Sequence, residues 1–85
     1  MGKLHRKIIS VLRRAWSDVD DALDDVEELG TVMGVIASPV FRRLDHEARQ
    51  KKLWSVLKKS LTADEFDRVG PIATLTPEEL RVKIS

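Results

Sequence analysis

Apolar residues return every three or four positions at the start of the chain. Leu4, Ile8, Val11, Leu12, Ala15 and Trp16 form one stripe, with Lys and Arg on the opposite side. That spacing predicts an amphipathic helix over about residues 3–17. In the next segment, "DVDDALDDVEELG", Val19, Ala22, Leu23, Val26 and Leu29 follow a helical period better than strict alternation. Asp and Glu also disfavour strands, so on its own pattern the segment is a helix or an acidic loop. "TVMGVIAS" is rich in β-branched residues and bounded by Gly30 and Ser38-Pro39, which predicts a buried strand. After Pro39 a second stripe, Leu44, Ala48, Leu53, Val56, Leu57 and Leu61, predicts another helix with Asp45 as its N-cap.

Local start and stop signals organise the rest. Thr62 with Glu65 three residues on is a capping box, and Gly70 and Pro71 stop the short helix that it opens. The run Ile72 to Leu75 is too short for a helix and suits a strand. Thr76, Pro77 and Glu79 then open a last helix. A strand near the end of the chain cannot stand alone, because its backbone groups need partners. The natural partner is the 31–38 segment or a neighbour of it.

Size and charge narrow the picture. The 85 residues make one domain, 1–85, with no room for a second core. The chain has no cysteine, hence no thiolate ligand or thiol nucleophile. No apolar run approaches a membrane span of roughly 18 residues, and no signal-peptide core follows the start, so a cytoplasmic protein with no membrane partner is expected. The net charge of +1 hides strong segregation: +5 over residues 1–16, −7 over 17–28, +5 over 42–59 and −2 in the tail. Segregated charge makes local fields even where the total cancels.

Candidate chemistry is sparse. His5 and His46 match no metal spacing, and each is expected on the surface. No nucleophile has a base beside it in sequence, and Asp20, Asp21, Asp24 and Asp25 read as a solvated, mutually repelling surface, so neither a catalytic set nor a metal site is expected. Trp16 and Trp54 lie on apolar stripes and are expected in the core. Gly30 and Gly34 read as strand punctuation. The basic set Arg42, Arg43, Arg49, Lys51, Lys52, Lys58 and Lys59 is the best candidate binding surface, for an acidic protein or for nucleic acid phosphate.

One ordered set of residues adds a further reading. Ser38 and Phe41 are followed by Arg49 eight positions after the Phe, then by Leu53, Trp54 and Leu57, and "TLTPEE" comes near the end. In this the chain resembles the BolA family over about residues 4–80. The resemblance implies an α+β fold of the class II KH-like kind, helix-strand-strand-helix-helix-strand, with a three-stranded sheet covered by helices on one face. On that template the acidic segment 18–28 holds the first strand. The resemblance also implies a non-catalytic adaptor or regulator related to stress response and iron–sulfur chemistry. Its partner in that role is a monothiol glutaredoxin, with transcription regulation through nucleic acid as the alternative. Two family features are missing. The family's Gly after the Phe is replaced by Arg43. The His that relatives place just before the last strand, as an iron–sulfur ligand, is replaced by Arg68 on a gap-free count back from "TPEE". No His lies between Asp67 and Pro71, and residues 17–38 hold neither Cys nor His. No cofactor is therefore expected, and Arg68 joins the candidate partner surface.

Overall fold

The computed structural model describes residues 2–26, 28 and 30–84. Its elements run α1 (Lys3–Ala15), β1 (Asp20–Val26), β2 (Thr31–Ala37), a 3-10 turn (Pro39–Phe41), α2 (His46–Ser60), α3 (Ala63–Asp67), β3 (Val69–Leu75) and α4 (Pro77–Ile84). The strands form one sheet in the order β1-β2-β3, with β1 antiparallel and β3 parallel to β2. This is the α+β, helix-strand-strand-helix-helix-strand arrangement with a three-stranded sheet that the resemblance implies, followed by a fourth helix.

The acidic segment is where the chain's own periodicity misleads. Asp20–Val26 is a strand, paired residue for residue with Ala37–Thr31, and not a helix or loop. Pairing along a ready β2 outweighs the weak strand preference of Asp. The register explains how the aspartates are tolerated. Asp21, Leu23 and Asp25 face the same side as Ile36, Gly34 and Val32, towards the helices. Of these three β1 residues only Leu23 is buried, while Asp25 Oδ2 accepts a 2.8 Å hydrogen bond from the Gly2 N–H and Asp21 lies beside α1. Asp20 and Asp24 face the other side and are exposed.

The core sits between the helix-side face of the sheet and α1 and α2. Ile8, Leu12, Ile36, Phe41, Leu53 and Leu57 are fully buried, and Trp16 closes one end edge-on to Phe41, with ring centroids 5.4 Å apart. Trp54 is half-buried and packs edge-on against Phe66 at the α2–α3 corner. On the opposite face Ala22 and Ala73 are exposed and Met33 and Val35 half-buried. β3 begins earlier than its apolar run suggests: Gly70 and Pro71 belong to the strand rather than ending α3. The pairing skips from Val32/Val69 to Gly34/Ile72, so β3 has an extra residue there. Such a bulge is one of the few places a strand accepts Pro, which has no N–H to donate.

Two backbone positions are special. Gly34 has φ 144°, and a Cβ there would run into the Ala22 carbonyl of the neighbouring strand. Gly34→Ala should therefore lower the unfolding free energy by about 2 kcal/mol or more, as measured by urea denaturation. Arg43, with φ 66°, occupies the left-handed region that glycine adopts without strain. Arg43→Gly removes that strain and should be neutral or stabilising by up to about 1 kcal/mol, despite the extra backbone freedom of glycine. A clear loss of stability in the second variant would mean that Arg43 makes contacts outweighing its strain.

Candidate functional site

Four segments meet where β2 and β3 end. Ser38, fully buried, donates its hydroxyl to the Asp18 carbonyl at 2.7 Å and accepts from the Val40 N–H at 3.4 Å, turning the chain out of β2. The 3-10 turn then drops Phe41 into the core. Asp45 caps α2 by accepting from the Ala48 N–H at 2.8 Å. At the end of β3, Thr76 and Glu79 cap α4 reciprocally: the Thr76 N–H donates to Glu79 Oε1 at 2.7 Å, and the Glu79 N–H to Thr76 Oγ1 at 3.2 Å.

Arg49 ties these pieces together. Its side chain is only 15% exposed; Nε donates to the Leu44 carbonyl at 2.9 Å, and Nη1 reaches the Thr74 carbonyl at 3.3 Å and Glu79 Oε1 at 2.7 Å. The next residue, Gln50, donates from Nε2 to the Ile72 carbonyl at 2.9 Å and to Thr74 Oγ1 at 3.1 Å, and its oxygen accepts from the Trp54 indole N–H at 2.9 Å. Leu75 gives its carbonyl to the Ser38 N–H of the β2 end. Carbonyls alternate sides along a strand, so those of Ile72 and Thr74 point to the outer edge of β3. Arg49 and Gln50 thus cover that edge with side chains.

The expected basic set falls into three settings. Arg42 and Arg49 belong to the junction just described; Arg42 makes a two-pronged pair with Glu78, Nε to Oε1 at 2.9 Å and Nη2 to Oε2 at 3.0 Å. Lys51, Lys52, Lys58 and Lys59 share the outer face of α2, opposite the buried Leu53 and Leu57, and all four are exposed. Their only ion pair among the described residues is the exposed Lys51–Glu47 contact at 3.3 Å. Arg43 is exposed in the turn before α2. Arg68 lies elsewhere, in the α3–β3 turn, 3.7 Å from Asp64 and on the rim of a cleft of about 570 Å³ shared with Lys3, Asp25 and Thr31.

Of the two imidazoles, His46 is exposed as expected, but His5 is not: it is 4% exposed, with neither ring nitrogen hydrogen-bonded. The signal was present in the sequence. His5, Ile9, Leu12 and Trp16 recur at helical spacing on the border of the apolar stripe, which carries His5 under the helix. The Gln50–Trp54 contact was not anticipated, although Gln50 stands four before Trp54, the helical spacing that brings the amide to the indole N–H.

The donor set does not fit an iron–sulfur cluster. Such a cluster needs thiolate or imidazole ligands, the chain has no cysteine, and neither of its two histidines lies in the α3–β3 turn, where Arg68 stands. No cluster of three or more His, Asp or Glu side chains placed to hold a metal occurs among the described residues, and none of their helices is long and apolar enough to cross a membrane. Comparisons of the chain with protein-family models, with curated proteins and with solved structures find no match in any of the three.

Three capping or bridging glutamates ionise more readily in the fold than in the unfolded chain. Glu65 does so chiefly through the hydrogen bond from Lys7, Glu78 through that from Arg42, and Glu79 through the Thr76 N–H and then Arg49. A carboxyl with a depressed folded pKa contributes its stabilisation fully above the ordinary Glu range, and loses it as pH falls through the folded value. Stability should thus be flat from neutral pH to about 5 and decline below that. Glu79→Gln should make the decline shallower in pH-dependent urea denaturation. Glu78 and Glu79 are exposed and Glu65 is half-buried, so added salt should reduce the effect, most of all for the first two. A free energy of unfolding unchanged between neutral and strongly acidic pH would contradict the assignment.

Proposed function

We propose that the protein is a non-catalytic adaptor or regulator of the BolA-like type, acting in the cytoplasm by protein contact. The observation that carries this reading is the convergence of Ser38, Phe41, Arg49 and the Thr76–Glu79 cap on one junction. The residues on which the resemblance rests are those that build the end of the sheet and the start of α2. The contact surface is the basic side of α2 from Arg42 and Arg43 to Lys59, with Arg68 as a separate outlying contact. The partner that the resemblance supplies is a monothiol glutaredoxin. Family-type cluster sharing is not part of the proposal, since the ligand position is Arg68.

Titration of isotope-labelled protein with cluster-loaded monothiol glutaredoxin tests this. Amide shifts should appear along α2 and β3, while the visible spectrum of the cluster stays that of the glutaredoxin alone. Absence of shifts would remove the partner, and a changed cluster spectrum would overturn the argument about ligands.

The exposed lysines of α2 favour a second reading, binding to nucleic acid phosphate, with transcription regulation as the attached role. Four exposed lysines on one helix face suit backbone contacts, which bind without reading sequence. If all four engage, the logarithm of the affinity should fall against the logarithm of salt concentration with a slope of about −3. Lys52→Glu with Lys59→Glu should bring that slope nearer zero, as read by fluorescence anisotropy. An unchanged slope would exclude this face.

A further inference from the structure

The two edges of the sheet are treated differently. The outer carbonyls of β3 are covered by Arg49 and Gln50, whereas no strand pairs with the outer edge of β1 among the described residues. An uncovered seven-residue edge strand is a template for another chain. Beside it lies a vacancy. α1 turns Lys7 towards α3, where Nζ donates to Glu65 Oε1 at 2.7 Å. Its other flank carries His5, Arg6, Ile9, Ser10 and Arg13, which with Asp21 of β1 line a cleft of about 360 Å³. His5 is buried in the wall of this cleft with both ring nitrogens unpartnered, Nε2 standing 3.8 Å from Asp21 Oδ2, beyond a hydrogen bond. Arg13 Nη2 stands equally far from the other Asp21 oxygen. A buried polar group left without a partner is costly, so the wall of this cleft carries an unmet hydrogen-bonding demand.

We infer that the outer edge of β1 and the α1–β1 cleft together form a docking site for an extended segment of a partner protein, added as a fourth strand. Main-chain hydrogen bonds to β1 supply the attachment, and alternate side chains supply the selectivity. On the open side of the sheet the added strand meets Asp20 and Asp24, which are exposed and have no ion-pair partner among the described residues. Lys or Arg at two positions four apart complements them. Its intervening side chains point to the helix side, over the cleft whose wall holds the His5 ring. A second copy of this chain is a poor occupant. Antiparallel pairing of two β1 strands centred on Ala22 opposes Asp20 to Asp24, and pairing centred on Leu23 opposes Asp21 to Asp25. Like charges directly opposite destabilise a pair. This surface is separate from the α2 lysine face, so the inference does not depend on the adaptor or nucleic-acid readings.

The test is a nuclear magnetic resonance titration with a peptide alternating Lys and Thr, beside a peptide of identical composition with its Lys and Thr in separate blocks, and a third alternating Glu and Thr. Saturable shifts at the amides of residues 20–26 and at the His5 ring are expected with the first peptide. Each of the others should bind about tenfold more weakly. Asp20→Lys combined with Asp24→Lys, both at exposed positions, should reverse the preference between the Lys and Glu peptides. The inference is overturned if the alternating Lys peptide leaves β1 unshifted at millimolar concentration, if the blocked peptide binds equally well, or if the double variant keeps the original preference. It is also overturned if sedimentation shows the wild-type chain dimerising through β1.

Discussion

Arg49 and Gln50, adjacent at the start of α2, take hold of a strand far along the chain, and the rest of the structure depends on that grip. β3 runs parallel to β2, so no tight turn joins the two strands. The connection passes through the 3-10 turn, α2 and α3, and the register of β3 must be set by contacts made across it. Ile72 contributes the buried apolar contact, while the guanidinium and the amide take the carbonyls left over on the outer edge. The same guanidinium binds Glu79, which caps α4. One side chain thus links the helix that covers the sheet, the strand that completes it and the helix that leaves it. Hydrogen bonds to a charged donor in a mostly buried setting are worth about 1.5–3 kcal/mol, so this link is a substantial share of what a small domain has.

Much of this was legible in the sequence because its signals are local. The Thr62–Glu65 and Thr76–Glu79 boxes, the Asp45 cap and the stripe of α2 depend on neighbours within a turn or two, and all are present. What was illegible depends on partners distant in the chain. The aspartates of β1 follow a helical period and become a strand only because β2 offers seven paired positions. The length of β3 was hidden by Gly70 and Pro71, which end a helix in most contexts and here sit at a bulge. His5 differs in kind, since it is a polar residue one step off an apolar stripe, yet it is 4% exposed. Its burial follows from the packing of α1 on the sheet.

The candidate sites obey the same division. The basic residues look like one cluster in sequence, but the fold assigns Arg42 and Arg49 to structure, bound to Glu78 and Glu79, and leaves the lysines of α2 on an exposed face. The acidic block is likewise split by the pleat of β1. Asp21 and Asp25 turn inward to His5, Arg13 and the Gly2 N–H, and Asp20 and Asp24 turn outward. Segregated charge along the chain therefore becomes two surfaces of opposite sign, a basic helix face and an acidic sheet edge, in a chain that supplies no thiolate.

The account rests on β3 lying parallel to β2 in the register that Arg49 and Gln50 hold. Cross-strand nuclear Overhauser effects between β2 and β3 in the free protein test this most directly. Contacts joining Gly34 to Ile72 and Ile36 to Thr74, advancing in the same direction along both strands, are the predicted result. An antiparallel progression, or residues 72–75 with no cross-strand contacts, would contradict it.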